Sequence, residues 1–169
     1  MNKGVMYTGI PSREELEACP GVPSKERMAK GRVAVIECVQ EIPCNPCENA
    51  CRLGAITIGD QITDLPVLHE EKCTGCGLCV ANCPGLAITI VDMTYSEKEA
   101  VIEFPFEYLP LPGAGDIVDA VNRAGEVMCK GTVTSVRKLK SFAGTAVVGI
   151  AVPKEFADEV RSMKRLKRE

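Results

Sequence analysis

The sequence lacks the features that mark nucleic-acid-binding, membrane and secreted proteins. Its formal net charge of −3 gives no excess of positive charge for binding nucleic acid. No apolar run approaches the roughly 18 residues that span a bilayer, and the start, Met1-Asn2-Lys3-Gly4, has no signal-peptide pattern. We therefore expect a cytoplasmic protein with no membrane span and no nucleic-acid partner.

The sequence also has little that could act on a small molecule. Its one histidine, His69, provides no cysteine and histidine pattern for nucleophilic catalysis. The segment Gly113-Ala114-Gly115 falls short of a dinucleotide fingerprint, since Val118 replaces the last glycine, and no phosphate loop is present. We therefore expect no catalytic residue here, and neither flavin nor NAD bound by this chain.

Cysteine, by contrast, is abundant. Eight of the ten cysteines fall in two compact runs, and in a reducing compartment such spacing indicates metal ligands instead of disulfides. The run from Cys73 to Pro84 reads C-x2-C-x2-C-x3-C-P, with Cys73, Cys76, Cys79 and Cys83 as its cysteines. This is the ligand pattern of a four-iron, four-sulfur cluster, and Gly75 and Gly77 suit a loop that wraps around one.

A second, incomplete copy of this run lies 32 positions earlier. Cys44, Cys47 and Cys51 align with the last three cysteines of the later run, but Glu41 stands in place of the first, and Cys38 lies three residues before it. Three cysteines suit a three-iron cluster or an iron that also binds water. We favour a complete site, in which an extended, proline-bent loop brings in Cys38 as the fourth ligand.

Other roles for these side chains are possible in principle and are less well matched. Zinc also takes four thiolates, but its sites pair two C-x2-C units across a longer spacer, whereas Cys73, Cys76 and Cys79 lie within seven residues. Outside both runs, Cys129 is expected as a buried thiol in a strand and Cys19 as a free thiol in a turn. We expect His69 to have a surface or capping role.

Residues 33–92 resemble a bacterial ferredoxin with two four-iron clusters. In that family the fourth cysteine of each run ligates the other cluster. The resemblance therefore implies that cluster A is held by Cys51, Cys73, Cys76 and Cys79, and that cluster B is held by Cys38, Cys44, Cys47 and Cys83. Arg52 departs from the family, which usually has proline there; as a cation beside Cys51 it would raise the potential of cluster A, unless it merely faces solvent.

The composition divides the chain into four parts and predicts an α+β fold. Residues 1–32 are a docking arm with at most two short helices, capped by Ser12 and Ser24. Residues 33–93 are a ferredoxin-like, pseudo-two-fold cluster domain with strands near 33–36, 65–68, 55–60 and 87–92. Residues 94–153 are a small β domain, SH3-like as one candidate, with strands at 117–121, 126–136 and 146–152 and a hairpin turn at 122–125. Residues 154–169 are a C-terminal amphipathic helix whose apolar face is formed by Phe156, Val160 and Met163.

Electron carriers without a substrate site must exchange electrons with another protein. The segment from Glu37 to Glu48 and the C-terminal β unit resemble the ferredoxin-like subunits of FAD-dependent enzymes, in the sarcosine oxidase, proline or hydroxyproline dehydrogenase and hydrogen cyanide synthase group. The resemblance implies an electron-transfer subunit with two [4Fe–4S] clusters in a hetero-oligomer, whose FAD-containing oxidoreductase partners hold the flavins.

Three alternatives remain open at this point. The chain could be a free ferredoxin, although the arm and the β unit go beyond what a diffusing carrier needs. It could be a structural interaction protein in which the clusters only stabilise the fold. It could also be an enzyme with an open iron as a Lewis acid, which the Glu41 substitution alone supports.

Overall fold

The computed structural model describes residues 3–167 and has an α+β architecture, in agreement with the predicted class. Its strands form one seven-stranded antiparallel sheet, in the order β1-β4-β5-β8-β7-β6-β9, and one two-stranded sheet, β2-β3. The helices are α1 Val5–Thr8, α2 Arg13–Glu17, α3 Lys25–Met28, α4 Pro46–Ala50 and α5 Leu78–Asn82. The strands are β1 Val33–Ile36, β2 Ile56–Thr57, β3 Val67–Leu68, β4 Ile88–Asp92, β5 Glu99–Phe106, β6 Ile117–Val121, β7 Val127–Arg137, β8 Ala146–Pro153 and β9 Ser162–Met163. Among the residues described, no helix is long and apolar enough to cross a membrane.

Within its described residues, 3–32, the N-terminal arm contains three short helices, one more than expected. Ser12 and Glu15 form the predicted capping box on α2, with the Ser12 hydroxyl accepting from the Glu15 amide at 3.2 Å. Ser24 caps α3 by accepting from the Arg27 amide at 3.1 Å. The additional helix, α1, is stabilised by the Glu15 carboxylate, which accepts from the Val5 amide at 3.2 Å.

The two cysteine runs occupy equivalent places in the fold. Each run leads into a short helix, α4 or α5, and each helix is followed by a strand, β2 or β4. The strands pair across the repeat, because β1 is antiparallel to β4 and β2 is antiparallel to β3. The two halves are therefore interleaved, and neither half pairs its strands by itself.

The sheet continues without a break past the cysteine region. Strand β5, which we did not predict, pairs with β4 on one side and along its whole length with β8 on the other. The predicted division between residues 93 and 94 thus lies within one continuous sheet. Strands β6, β7 and β8 lie within one or two residues of their predicted bounds, and residues 122–125 turn β6 into β7 as expected.

Two apolar cores flank the sheet. One contains Phe104, Phe106 and Ile150, which are among the largest buried side chains of the protein. The other combines buried residues of β1 and β4, such as Ile36 and Ile88, with Phe142 and with Cys47 and Cys79. The cysteines therefore belong to the apolar interior around the first strands.

The prediction of a C-terminal helix is wrong for residues 154–167, the part of it that the structure describes. Lys154–Phe156 form a single 3-10 turn, and the chain then extends into β9, which pairs with the edge of β6. Positions 168 and 169 of that prediction lie outside the described residues. Pairing overrides the helical pattern, because the Arg161 amide donates to Val121 and the Lys164 amide donates to Asp119, at 3.0 and 2.8 Å. Val160 and Met163 are nevertheless buried, as the apolar pattern predicted.

Candidate metal centres

The eight cysteines of the two runs surround two separate cavities. Cavity A is lined by Cys51, Cys73, Cys76 and Cys79, and cavity B is lined by Cys38, Cys44, Cys47 and Cys83. Each cavity draws three cysteines from one run and one from the other, which is the grouping that the ferredoxin resemblance implied. Within residues 3–167, no three Cys, His, Asp or Glu side chains converge as a site for one metal ion. Apart from the cysteines, the residues that line both cavities are largely apolar.

Helices α4 and α5 place the two cavities next to each other. Cys47 in α4 lines cavity B and Cys51, directly after α4, lines cavity A. Cys79 in α5 lines cavity A and Cys83, directly after α5, lines cavity B. Four residues of helix rise about 6 Å. The two cavities are therefore separated by about one turn of each helix.

Backbone amides donate hydrogen bonds to three of these sulfurs. The Ala34 amide donates to Cys73 at 3.4 Å, and the Ala55 amide donates to Cys51 at 3.2 Å. The Ala87 amide donates to Cys83 at 3.4 Å, so this contact and the one at Cys51 repeat at the offset of 32. Donors aimed at sulfur stabilise thiolate, the form that binds iron, and the residues present therefore fit an iron–sulfur cluster.

Burial makes several of these thiols poor acids without a metal. It raises the pKa of Cys47 to about 11, with the neighbouring Cys83 adding to the effect. Burial, followed by the proximity of Cys73 and Cys76, raises the pKa of Cys79 still further. Grouped thiols of this kind lose their protons when a cation replaces them, so metal binding and thiol deprotonation are coupled here.

Cys38 reaches cavity B from the loop that follows β1. Its backbone is fixed by Cys19, whose thiol is buried and donates to the carbonyl oxygens of Ile36 and Cys38 at 3.3 and 3.5 Å. Cys19 is thus a free thiol at the start of a turn, as we expected, and it is also buried against this loop. Cys129 lies in β7 as predicted and is half-buried.

Glu37, beside Cys38, is clamped by two arginines of the C-terminal half. Its carboxylate accepts from Arg123 Nε at 2.8 Å and from Arg161 Nε at 2.8 Å, and all three side chains are at most 14% exposed. Burial alone would raise the pKa of Glu37, but the two guanidinium groups outweigh it and hold the pKa below its usual range. The loop that carries Cys38 is therefore attached to the β6–β7 turn and to the segment before β9.

The loop around cavity A is also held by arginines, which the sequence did not reveal. Arg27, Arg32 and Arg137 donate to the carbonyl oxygens of Cys73, Gly75 and Cys76, at 2.6, 3.1 and 3.0 Å. Arg27 and Arg32 come from the segment before β1 and Arg137 comes from the end of β7, all far from the loop in sequence, so no local pattern indicates these contacts. The sequence feature that could have indicated these arginines is Glu103, a carboxylate in the middle of an apolar strand. A carboxylate that is buried requires a cationic partner.

Gly75 and Gly77 make room for two of these arginines. Both adopt left-handed backbone conformations, with φ of 66° and 84°. A Cβ at Gly75 would lie 2.6 Å from Cβ of Arg32, and one at Gly77 would lie 2.6 Å from Nη2 of Arg137. Glycine is therefore required by both the loop conformation and the arginines beside it.

Arg52 and His69 have simpler surroundings. Arg52 is exposed at the rim of cavity A, beside Cys51. The His69 ring shares a hydrogen bond with the Thr57 hydroxyl at 3.0 Å, which links β2 to β3. His69 lies outside the lining of both cavities.

Comparison with known proteins identifies part of the chain. Residues 66–89, which include Cys73, Cys76, Cys79 and Cys83, match the family model of the 4Fe-4S binding domain. The chain contains a 4Fe–4S binding domain. It is accordingly an iron–sulfur protein, and the other four cysteines of the two runs lie outside the matched segment of this domain.

Several characterised proteins share the region of the 4Fe–4S domain. The polyferredoxin-like subunit of an aliphatic sulfonate oxidoreductase from Pyrococcus furiosus is 50% identical over 48 residues, 28% of this chain and 27% of the relative. One subunit of an ion-translocating oxidoreductase complex from Methanosarcina acetivorans is 43% identical over 49 residues, 29% of this chain and 17% of the relative. The ferredoxin-type protein NapF from Haemophilus influenzae is 34% identical over 61 residues, 35% of each chain. This chain spans about a third or less of the length of these relatives, and no solved structure matches it.

Proposed function

We propose that this chain is an electron-transfer subunit that holds two [4Fe–4S] clusters. Cluster A would be bound by Cys51, Cys73, Cys76 and Cys79, and cluster B by Cys38, Cys44, Cys47 and Cys83. The observation that carries the proposal is the presence of two neighbouring cavities, each lined by four cysteines drawn from both runs. When bound, the clusters supply one-electron chemistry, and the chain's own residues hold, shield and orient them.

The surroundings of the cavities support transfer to another protein. Cys76 is exposed, so one side of cavity A is open to a partner. At cavity B the apolar side chain of Ile42 is 46% exposed. An exposed apolar side chain at the cavity favours a protein contact that excludes water.

The partners that we propose are FAD-containing subunits of a hetero-oligomeric oxidoreductase in the cytoplasm. Two relatives are named as subunits of oxidoreductases, which supports a place in such a complex. The specific choice of flavoproteins rests on the resemblance of residues 37–48 and of the C-terminal β unit. The arm and that β unit would supply the docking surfaces.

Anaerobic reconstitution of the full chain tests the cluster assignment. We expect about eight iron and about eight sulfide per chain, the content of two four-iron clusters. Cys73→Ser should remove the electron paramagnetic resonance (EPR) signal of one reduced cluster and Cys38→Ser that of the other, whereas the control Cys129→Ser should keep both. Stoichiometric zinc without reducible iron would overturn the proposal, and a Cys38→Ser variant with both signals intact would remove Cys38 from the ligand set.

Isolation of the native assembly from its own cell tests the partner assignment. We expect the chain to elute with a flavoprotein and to be reduced when that flavoprotein turns over. A lone species of 18.2 kDa with two reducible clusters would instead identify a free ferredoxin. Clusters that dithionite reduces, but that no copurifying protein can reduce or oxidise, would indicate a structural role.

A further inference from the structure

Three arginines grip the ligand loop of cavity A from outside the loop. Arg27 belongs to α3, Arg32 precedes β1, and Arg137 ends β7. Their guanidinium groups donate to the carbonyl oxygens of Cys73, Gly75 and Cys76. Each of these bonds polarises a peptide group whose N–H belongs to the next residue of the loop. Positive charge therefore lies against the loop, and the backbone amides of the loop become stronger hydrogen-bond donors close to cavity A.

Glu103 fixes two of these arginines. Its side chain is 6% exposed and accepts from Arg32 Nη2 at 2.6 Å and from Arg137 Nη2 through its second oxygen. Two guanidinium charges face one carboxylate, so this trio has a net charge of +1. The buried carboxylate in β5 positions both guanidinium groups, although the side chains of Arg32 and Arg137 are 42% and 26% exposed.

Cavity B also has a buried arginine pair nearby, Arg123 and Arg161, which clamp Glu37 beside Cys38. Unlike Arg32 and Arg137 at cavity A, this pair donates to no described residue of the cavity lining. Among the described residues that line cavity B, the only charged side chain is the carboxylate of Asp64, and the remainder are cysteines, apolar residues, prolines and Gln40. A cluster gains negative charge on reduction, so nearby cations favour the reduced state and nearby anions oppose it. The two cavities thus differ in the electrostatic term that sets potential.

We propose that Arg32 and Arg137, positioned by Glu103, raise the reduction potential of cluster A above that of cluster B. This inference rests on the proposed function, since it requires both clusters. One electron then leaves cluster B, which is oxidised, and enters cluster A, which is reduced, without any bond being made or broken. The electron donor contacts the chain at cluster B, and the acceptor contacts it on the exposed Cys76 side of cluster A.

A redox titration followed by EPR on the reconstituted full chain tests this order. In the wild type, the signal that appears first on reduction should match the one that remains in Cys44→Ser, which lacks a ligand of cluster B. If the first signal is instead the one lost in Cys44→Ser, cluster B has the higher potential and the proposal is wrong. This measurement does not depend on whether any arginine variant folds.

Charge variants then test the positioning residues. Arg137→Gln and Arg32→Gln should each lower the midpoint of cluster A and leave that of cluster B unchanged, while Arg137→Lys should recover part of the loss. Lys138→Gln removes the same charge from the next, exposed residue and should move neither midpoint. Glu103→Gln should raise the midpoint of cluster A. A merely structural role predicts shifts of the same direction for Arg137→Gln and Glu103→Gln, and that result would refute the tuning role.

Iron and sulfide content separates the two levels of failure. A wild-type chain that takes up no iron–sulfur clusters contradicts the proposed function itself. If the wild type binds both clusters and the arginine variants have the same midpoint potentials as the wild type, only this inference is contradicted.

Discussion

Replacing Glu37 with glutamine should destabilise the protein far more than the same replacement at Glu41, four residues away. Glu37→Gln keeps the shape of the side chain and removes the charge that Arg123 and Arg161 share. These three side chains are 10%, 14% and 12% exposed, so the two guanidinium groups would be left facing each other in a nearly dry environment. Removing one partner from a buried ionic group costs about 3–5 kcal/mol.

That cost is large for a chain of this size. Domains are stable by about 5–15 kcal/mol in total, so the variant should lose about a fifth or more of its free energy of unfolding. With a urea dependence of about 2 kcal/mol/M, the unfolding midpoint should fall by about 2 M. Because Glu37 adjoins Cys38, the variant should also release the iron of cluster B before that of cluster A.

The assay is anaerobic urea unfolding followed by far-ultraviolet circular dichroism, with iron release measured on the same samples. Glu41→Gln is the control, since Glu41 is exposed and its replacement should change the midpoint little. If Glu37→Gln unfolds within about 1 kcal/mol of Glu41→Gln, the clamp contributes little and the reasoning fails. Loss of iron from both clusters at the same urea concentration would show that the clamp does not act locally on cluster B.

Three further changes probe other parts of the structure. Gly77→Ala places a side chain at a left-handed backbone position, which costs about 1–2 kcal/mol, and brings its Cβ against the guanidinium of Arg137. The variant should therefore bind less iron at cluster A, whereas the control Gly85→Ala, whose Cβ would meet no neighbouring atom, should bind the wild-type amount. Equal iron content in the two variants would contradict this explanation. Arg52→Glu should lower the midpoint of cluster A in a redox titration, and an unchanged or higher midpoint would assign Arg52 to the solvent. Met163→Asp buries a carboxylate where β9 meets the core, so its urea unfolding midpoint should be lower than that of Lys164→Asp, a change at the exposed neighbouring residue. Similar unfolding midpoints for the two variants would argue against the pairing of β9 with β6.

The sequence was most informative where the determinants are local. Cysteines three or four positions apart must lie in one short segment, so their spacing sufficed to predict the run around Cys73, and the 32-residue repeat located its partner. Capping by Ser12 and Ser24 was predictable for the same reason, since a cap and its helix lie within three residues. Strands with clear β-branched runs, such as Val33–Ile36, were also found.

Features that depend on distant contacts were missed or misread. Strand β5 contains Glu103 and Pro105, which argue against a central strand until Arg32 and Arg137 are seen to neutralise the carboxylate. The apolar positions after Pro153 fit a helical period, yet the free edge of β6 takes up the same residues as a strand. In both cases a partner more than thirty residues away decides the local conformation.

The unbroken sheet limits how the cysteine region can be used apart from the rest. A fragment that ended at residue 93 would keep every proposed ligand but would expose the β4 edge that β5 covers. It would also leave Arg32 without Glu103 and Glu37 without Arg123. An open edge beside unpaired charges invites association between copies. A protein engineer who grafts the two proposed cluster sites onto another protein would therefore have to include the strands that follow residue 93.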